Sequence, residues 1–156
     1  MVDVFVRMAK PKDCLIIARA MRKCDVAEVM ASAGLNPHDA VRSSFDGSDT
    51  CAVFCTPKGI PFAMYGVGSQ DIGDGTRALW MLATDQIDAN QVAFLRLSKE
   101  IIGELVAKYG KMINFVHAQN KVTQKWLKWL GARFEKPIEF GVSGEAFIRF
   151  EIGGGS

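Results

Sequence analysis

The stretch Arg77–Thr84 reads R-A-L-W-M-L-A-T, and only its two ends are polar. A run of this kind is typical of a central strand that other elements cover on both faces. From about Asp88 to Tyr109 the apolar residues follow a helical spacing, and Met112–Ala118 again has the character of a strand. Because parallel neighbours need a crossover connection, the helix between these two strands predicts that they lie side by side and parallel.

The rest of the chain divides into short elements around this unit. An apolar first strand precedes three short helices, a hairpin of two strands follows, and a last helix leads into two final strands. The expected bounds are strand Val4–Met8, helix Lys12–Arg22, a helix capped by Asp25 and closed by Gly34, a helix from Asn36 to about Phe45, strands Thr50–Thr56 and Ile60–Val67, a helix capped by Asn120 and ended by Gly131, and strands Arg133–Ile138 and Ala146–Ile152.

These elements predict an α/β (α+β) fold with a mixed central sheet and the order β-ααα-β-β-β-α-β-α-β-β. The sequence contains no internal repeat, so we expect a single domain over residues 1–152. Residues 153–156 read Gly-Gly-Gly-Ser and are expected to form a flexible tail.

The composition is that of an ordinary globular protein. Of 156 residues, 49% are apolar and 23% are charged, which excludes disordered, collagen-like and disulfide-scaffold classes. The formal net charge of +2 does not require a nucleic-acid partner. No apolar run approaches the roughly 20 residues of a membrane span, and the first residues lack a signal-peptide pattern. We therefore expect the protein to stay in the cytosol where it is made.

The four cysteines, Cys14, Cys24, Cys51 and Cys55, form no C-x-x-C pair. Cys51 and Cys55 share one face of an expected strand but lie about 13 Å apart along it, which is too far to hold one metal ion. The pattern favours reduced, mostly buried thiols and no metal site. A reactive cysteine is the alternative.

The last helix is amphipathic. Leu127 is expected at the flank of its buried face, beside a cleft rather than in the core. The residues expected to form the buried face itself are Val122, Trp126, Trp129 and Leu130.

The stretch Asn120–Ala132 resembles the late strand-to-helix signature of the GNAT acyltransferase family, and the order of elements is similar over nearly the whole chain. That signature has an Asn, a small residue three positions later, an aromatic pair, and a Gly before the last hairpin. A closer resemblance is to the internal virion protein A family of podophages related to T7, which has a GNAT-like domain of similar length. This resemblance rests on three short matching segments that occur in the same order, Gly59–Ala63 (GIPFA), Thr84–Gln86 (TDQ) and Leu127–Phe134 (LKWLGARF).

The resemblance to GNAT enzymes implies a cofactor site. In that family, a glycine-containing loop between the central strand and the long helix holds the pyrophosphate of acetyl-CoA with backbone N–H groups. The matching segment, Thr84–Ala93, contains no Gly, and Asp85 and Asp88 would repel phosphates. The residues that the resemblance assigns to cofactor binding are Leu82, Ala83, Thr84, Ala89, Val92, Ala93, Asn120 and Lys125.

The resemblance also implies catalytic groups that differ here. Many GNAT enzymes carry a Tyr as general acid in the aromatic pair, and the motif places Leu127 at that position, which has no proton to donate. Asp85 is the nearest carboxylate to the central strand, and His117 is a candidate base at the end of the following strand. The alternatives are that Asp85 is a turn or helix-start residue and that His117 is a hydrogen-bonded structural residue.

Lys121, Lys125 and Lys128 form one stripe on the last helix, spaced four and three residues apart. Such a stripe is typical of a solvated helix face. The alternative is contact with the phosphates of CoA or of nucleic acid.

Two functions are consistent with these observations. The first is a phage GNAT-fold structural or interaction protein, an internal virion protein of the core, of ejection or of assembly. It would contact other virion proteins, need no cofactor and lack ordinary acetyltransferase activity. The alternative is a divergent N-acyltransferase that moves an acetyl group from acetyl-CoA to an amine. We expect the protein in the host cytoplasm or packaged inside the virion.

Overall fold

The structure, a computed structural model, describes residues 3–154, so Ser156 and Gly155 of the expected tail lie outside it. It confirms the α/β class and the expected order of elements. A short 3-10 helix and one additional strand are the differences. The elements in chain order are β1 (Phe5–Met8), α1 (Pro11–Arg19), α2 (Lys23–Ala33), α3 (Pro37–Asp46), β2 (Ser48–Cys55), β3 (Pro61–Gly68), β4 (Arg77–Ala83), the 3-10 helix (Asp85–Asn90), α4 (Gln91–Tyr109), β5 (Met112–His117), α5 (Lys121–Trp129), β6 (Arg133–Phe134), β7 (Ile138–Glu139) and β8 (Ala146–Ile152).

The strands form one mixed sheet in the order β1-β2-β3-β4-β5-β8-β6, and β7 also pairs with β8. The expected hairpin of β2 and β3 is antiparallel. The expected neighbours β4 and β5 are parallel, with Arg77 opposite Met112 and Ala78 opposite Ile113. The prediction from the helical crossover is therefore confirmed, because α4 returns the chain to the same end of the sheet.

The core occupies both faces of the sheet. In β2, Ala52 and Phe54 join one buried cluster, whereas Cys51, Val53 and Cys55 join another. This alternation follows from the two-residue period of a strand, so helices cover β2 on both sides. The first cluster contains residues of α4 and α5, and the second contains residues of α1 and α3.

The cysteines are free thiols. Cys14, Cys51 and Cys55 are buried, and Cys24 is half-buried, as expected from the sequence. Burial raises the pKa of Cys51 to about 12, which keeps this thiol protonated and unreactive. Within residues 3–154, no group of three or more His, Cys, Asp or Glu side chains could hold a metal ion. In the same range, no helix has the length and apolar character needed to cross a membrane.

The caps of three helices agree with the sequence. Asn36 accepts a hydrogen bond from Asp39 N at 2.8 Å, and Asn120 accepts one from Thr123 N at 3.2 Å. Gly34 follows α2 with a φ of 67°, the left-handed conformation that favours glycine after a helix.

The boundary between the first two helices differs from the prediction. α1 ends at Arg19 rather than Arg22, and Arg22 is the N-cap residue of α2. Asp25 does not cap α2 but lies within its first turn. Its carboxylate accepts hydrogen bonds from Arg22 Nε and Nη2, each at 3.0 Å, and from Ala83 N at 2.9 Å. The carboxylate therefore joins α2 to the end of β4 instead of capping its own helix.

The expected strand Arg133–Ile138 is broken into β6 and β7. Arg133 in β6 pairs with Glu151, and Ile138 in β7 pairs with Phe147. Pro137, directly before β7, has no N–H to donate to a ladder, which explains the interruption.

The buried face of α5 also differs from the prediction. Leu127 is only 2% exposed and belongs to the core, so its expected place at the flank is wrong. Val122 is 59% exposed and Trp129 is 49% exposed, so neither belongs to the buried face. Trp126 and Leu130 are half-buried and pack against the core, as expected.

Two polar residues explain the rotation of α5. Thr123 accepts a hydrogen bond from Arg22 Nη2 at 3.4 Å. Gln124 Nε2 donates to the carbonyl oxygens of His117 at 3.1 Å and Ala118 at 3.0 Å. Because these side chains have partners inside the molecule, they turn inward, and a helical wheel based on hydrophobicity places the face wrongly.

Truncation of Leu127 tests the observed orientation of α5. We expect Leu127→Ala to lower the free energy of unfolding by about 2–5 kcal/mol, because it leaves a cavity in the core. Val122→Ala truncates an exposed side chain of the same helix and should change the free energy of unfolding by about 0.5 kcal/mol or less. Denaturant unfolding of both variants measures the difference. A larger loss from Val122→Ala would show that α5 packs in the orientation expected from its hydrophobicity.

Candidate functional site

The candidate site lies where β4 and β5 separate. Their register contains only two residue pairs, at the start of both strands. Just beyond these pairs, Asn114 Nδ2 on β5 donates to Leu79 O on β4 at 2.8 Å, so a side chain bridges the strands in place of a backbone ladder. Two clefts lie beside the separated strands, and both are lined by Met81, Thr123 and Trp126.

The first cleft has a volume of about 330 Å³ and is lined by residues of α2, β4, β5 and α5. Its polar lining includes Glu28 and Asn114. Leu127 also lines it, so this residue is both part of the core and part of the cleft wall.

The second cleft has a volume of about 390 Å³ and lies between α4 and α5. Trp126 lines both clefts. Its indole Nε1 donates to Ser98 Oγ at 3.2 Å, and its ring stacks on Phe94 with the centroids 5.8 Å apart. The walls of the second cleft also include Asp88 and Lys125.

Glu28 is the carboxylate of the first cleft, and no sequence pattern marks it. Its Oε1 accepts hydrogen bonds from His117 N at 2.7 Å and from Asn120 Nδ2 at 3.3 Å. Burial raises the pKa of Glu28 to about 7, and the nearby charge of Asp25 adds to this, although the bond from His117 N opposes it. Glu28 therefore joins α2 to the junction of β5 and α5.

His117, a candidate base, is the last residue of β5 and is 8% exposed. Its Nδ1 accepts a hydrogen bond from Gln119 N at 3.2 Å, so the ring proton lies on Nε2, which bonds to Glu145 Oε1 at 2.9 Å. This bond lowers the pKa of Glu145. Both ring nitrogens are therefore hydrogen-bonded.

Asp85, the other catalytic candidate, is exposed at the start of the 3-10 helix and lines neither cleft. Thr84 accepts a hydrogen bond from Gln86 N at 3.3 Å and so begins that helix. The other residues assigned to cofactor binding fall into separate groups. Leu82 is buried and lines the first cleft, and Ala83 is buried in β4. Ala89, Val92 and Ala93 line a third cleft of about 340 Å³ at the start of α4, whereas Asn120 is buried beside Glu28 and Lys125 lies at the second cleft.

The stripe of Lys121, Lys125 and Lys128 is exposed along α5. Within residues 3–154, none of the three forms a salt bridge. The stripe lies next to the exposed Trp129, whose ring has Lys99 Nζ 3.9 Å from its centroid.

Replacement of Glu28 by glutamine tests its environment. The ordinary pKa of 4.5 rises to about 7 in the folded protein, so between these values the folded state holds a proton that the unfolded chain releases. The free energy of unfolding of the wild type should therefore fall as pH rises through this window. Glu28→Gln keeps an acceptor oxygen and has no charge, so we expect its stability relative to wild type to increase from pH 4 to pH 8.

Denaturant unfolding at several pH values measures this difference. Glu100→Gln, an exposed change on α4, is the control and should show no such trend. A stability difference for Glu28→Gln that does not grow with pH would contradict the burial of this carboxylate.

Solved structures share this fold over almost their whole length. The chain is similar to a spermidine N-acetyltransferase from Vibrio cholerae, in complex with CoA and spermine, with a TM-score of 0.69, 12% identity and coverage of 96% of this chain and 95% of the other. An N-acetyltransferase from Staphylococcus aureus Mu50 is similar with a TM-score of 0.71 and 16% identity, over 98% of this chain and 99% of the other. A GCN5-related N-acetyltransferase from Kribbella flavida is similar with a TM-score of 0.68 and 14% identity, over 96% of this chain and 97% of the other. At these identities the similarity shows the fold, which is the GNAT fold.

The connection from β4 to α4 does not fit the pyrophosphate of CoA. Its six central residues, Asp85–Asn90, form a 3-10 helix without glycine. Asn90, the N-cap residue of α4, makes no side-chain cap, and its Nδ2 bonds back to Gln86 O at 2.8 Å. The acidic Asp88 lies on the wall of the second cleft, where it opposes an anion.

No curated protein matches this sequence significantly. A family model does match, over residues 52–140, which is more than half of the chain and contains β4, α4, β5 and α5. Its description is "Bacteriophage T7, probable scaffold protein Gp13". On this match, the chain belongs to the phage T7 Gp13 family.

Proposed function

We propose that this chain is an internal virion protein of a phage, with a role in the core, in ejection or in assembly. In this role the GNAT fold is a structural or interaction module without ordinary acetyltransferase activity. Membership of the Gp13 family supports a phage particle as its setting. The short segments that resemble the internal virion protein A family also support a place in a phage particle. The protein is then made in the host cytoplasm and packaged inside the particle.

The connection from β4 to α4 is the observation that carries the non-enzymatic part of this proposal. A working acetyltransferase must hold a doubly charged pyrophosphate at this point. Here the segment has no glycine, and Asp85 and Asp88 are both exposed. Carboxylates this close to an anion weaken its binding by direct repulsion. The module therefore needs no cofactor for its proposed role.

The residues near the cleft support the same conclusion. Leu127, at the position where the family motif has a general acid, has no proton to donate and packs in the core. His117 has both ring nitrogens hydrogen-bonded. The general-acid position of the motif therefore has no proton to donate, and His117 has no free ring nitrogen to accept the proton of the amine.

The exposed face of α5 is the proposed contact with another virion protein. Trp129 and Val122 are exposed apolar residues beside the stripe Lys121, Lys125 and Lys128. A tryptophan beside cations fits an acidic protein surface with an apolar centre. Lys99 already covers one face of the Trp129 ring, which leaves less of it for a nucleic-acid base.

Purified particles test the proposal. We expect the wild-type protein to be present in particles, and the triple variant Lys121→Glu, Lys125→Glu, Lys128→Glu to be strongly reduced there, because the change reverses the charge of α5. Lys58→Glu, on the β2–β3 turn, is the control and should be packaged normally. Circular dichroism must show that the triple variant is folded.

Absence of the wild-type protein from particles would overturn the proposal. Normal packaging of the folded triple variant would instead exclude α5 as the contact. Loss of DNA binding by this variant, with normal packaging, would assign the lysines to nucleic acid.

The second candidate function is a divergent N-acyltransferase that uses acetyl-CoA. The two clefts that share Trp126 favour it, since they offer space for a ligand beside β4. A ligand at a hundredfold excess over its dissociation constant stabilises a protein by about 2.7 kcal/mol. We expect no such stabilisation by acetyl-CoA and no acetylation of amines. A clear thermal shift together with turnover would establish the second function instead.

A further inference from the structure

The first cleft contains a carboxylate without a cation. Glu28 Oε1 accepts two hydrogen bonds from neutral donors, His117 N and Asn120 Nδ2. Within residues 3–154, Glu28 forms no salt bridge, and its Oε2 has no hydrogen-bond partner. In the same range, no fully buried side-chain oxygen or nitrogen lacks a partner, so Oε2 has some exposure, and Glu28 lines the cleft.

The charged groups around Glu28 do not supply that cation. On α2, Arg22 and Asp25 neutralise each other through two bonds of 3.0 Å. From β5, His117 directs its ring to Glu145. The ionised Glu28 therefore leaves the wall of the cleft with a net negative charge.

The remaining wall of the cleft is rich in aromatic residues. Phe115 and Phe140 stack with their centroids 3.9 Å apart and their planes at 12°. The other aromatic residues that line the cleft are Trp80, Trp126 and Phe150. Aromatic rings attract cations through their π-electrons, and the attraction grows where water is excluded. A carboxylate among aromatic rings is the chemistry that recognises an organic cation.

We propose that the first cleft binds the side chain of an arginine presented by another virion protein. This inference rests on the proposed function of the chain as an interaction protein. A guanidinium is planar and weakly hydrated, and it stacks on aromatic rings while donating hydrogen bonds to a carboxylate. The open Oε2 of Glu28 accepts one such bond. A cleft of about 330 Å³ is large enough for one arginine side chain.

Two small probes of nearly the same shape, one charged and one neutral, test the site. N-acetyl-arginine amide carries the guanidinium, and N-acetyl-citrulline amide replaces it with a neutral urea of the same shape. In chemical-shift titrations at pH 8, we expect the arginine probe to bind the wild-type chain at least tenfold more tightly. The shifts should include the resonances of Trp80 and Trp126.

Glu28→Gln should remove this preference and leave the affinity for citrulline unchanged, whereas Glu100→Gln should alter neither. Lowering the pH to 5.5 should weaken arginine binding to the wild type, because Glu28 then takes up a proton. The comparison of probes and the pH series use the wild type, so they decide the question even if Glu28→Gln fails to fold.

Equal binding of the two probes, or a preference for arginine that persists in Glu28→Gln, would overturn the inference. Tighter binding of N-acetyl-lysine amide would overturn the choice of guanidinium. These outcomes are separate from the test of the proposed function. A chain found in particles that does not prefer arginine refutes the cleft assignment alone, and a chain that binds arginine but is absent from particles refutes the function.

Discussion

The buried ion pair between Arg22 and Asp25 fixes the geometry of the whole site. Arg22 N donates to Ala83 O at 2.8 Å, and the Asp25 carboxylate accepts from Ala83 N, so α2 is attached to the end of β4 at two points. The guanidinium also reaches Thr123 on α5. Removing one partner of a buried pair typically costs about 3–5 kcal/mol. In this protein it would also release the helix that carries Glu28.

The separation of β4 and β5 is the second constraint. Connectivity makes these strands parallel, whereas each has an antiparallel neighbour on its other side. Their shared register ends after two residue pairs, and Asn114 provides one further bond to the carbonyl of Leu79. The cleft is therefore a property of the sheet and does not depend on catalytic residues. A chain can lose such residues and keep the cleft.

The sequence predicts the elements well because their signals are local. The apolar run Arg77–Thr84 and the helix after it are sufficient for a parallel crossover. The orientation of α5 is not local, since the partners of Thr123 and Gln124 are contributed by other elements. No sequence pattern identifies Glu28 for the same reason, because its hydrogen-bond donor, His117, lies 89 residues away in the sequence. Sequence patterns therefore predict that the two strands are parallel neighbours but do not identify the group that gives the cleft a charge.

The distribution of satisfied and open polar groups relates the fold to the proposed ligand. In the connection from β4 to α4, Thr84 and Asn90 bond within the segment, and the side chain of Ile87 is buried. In the first cleft, Glu28 has an oxygen for which the described chain supplies no partner. An anion site needs open donors and a cation site needs open acceptors. By this criterion the first cleft favours a cation, which is the preference that we propose for a partner's arginine.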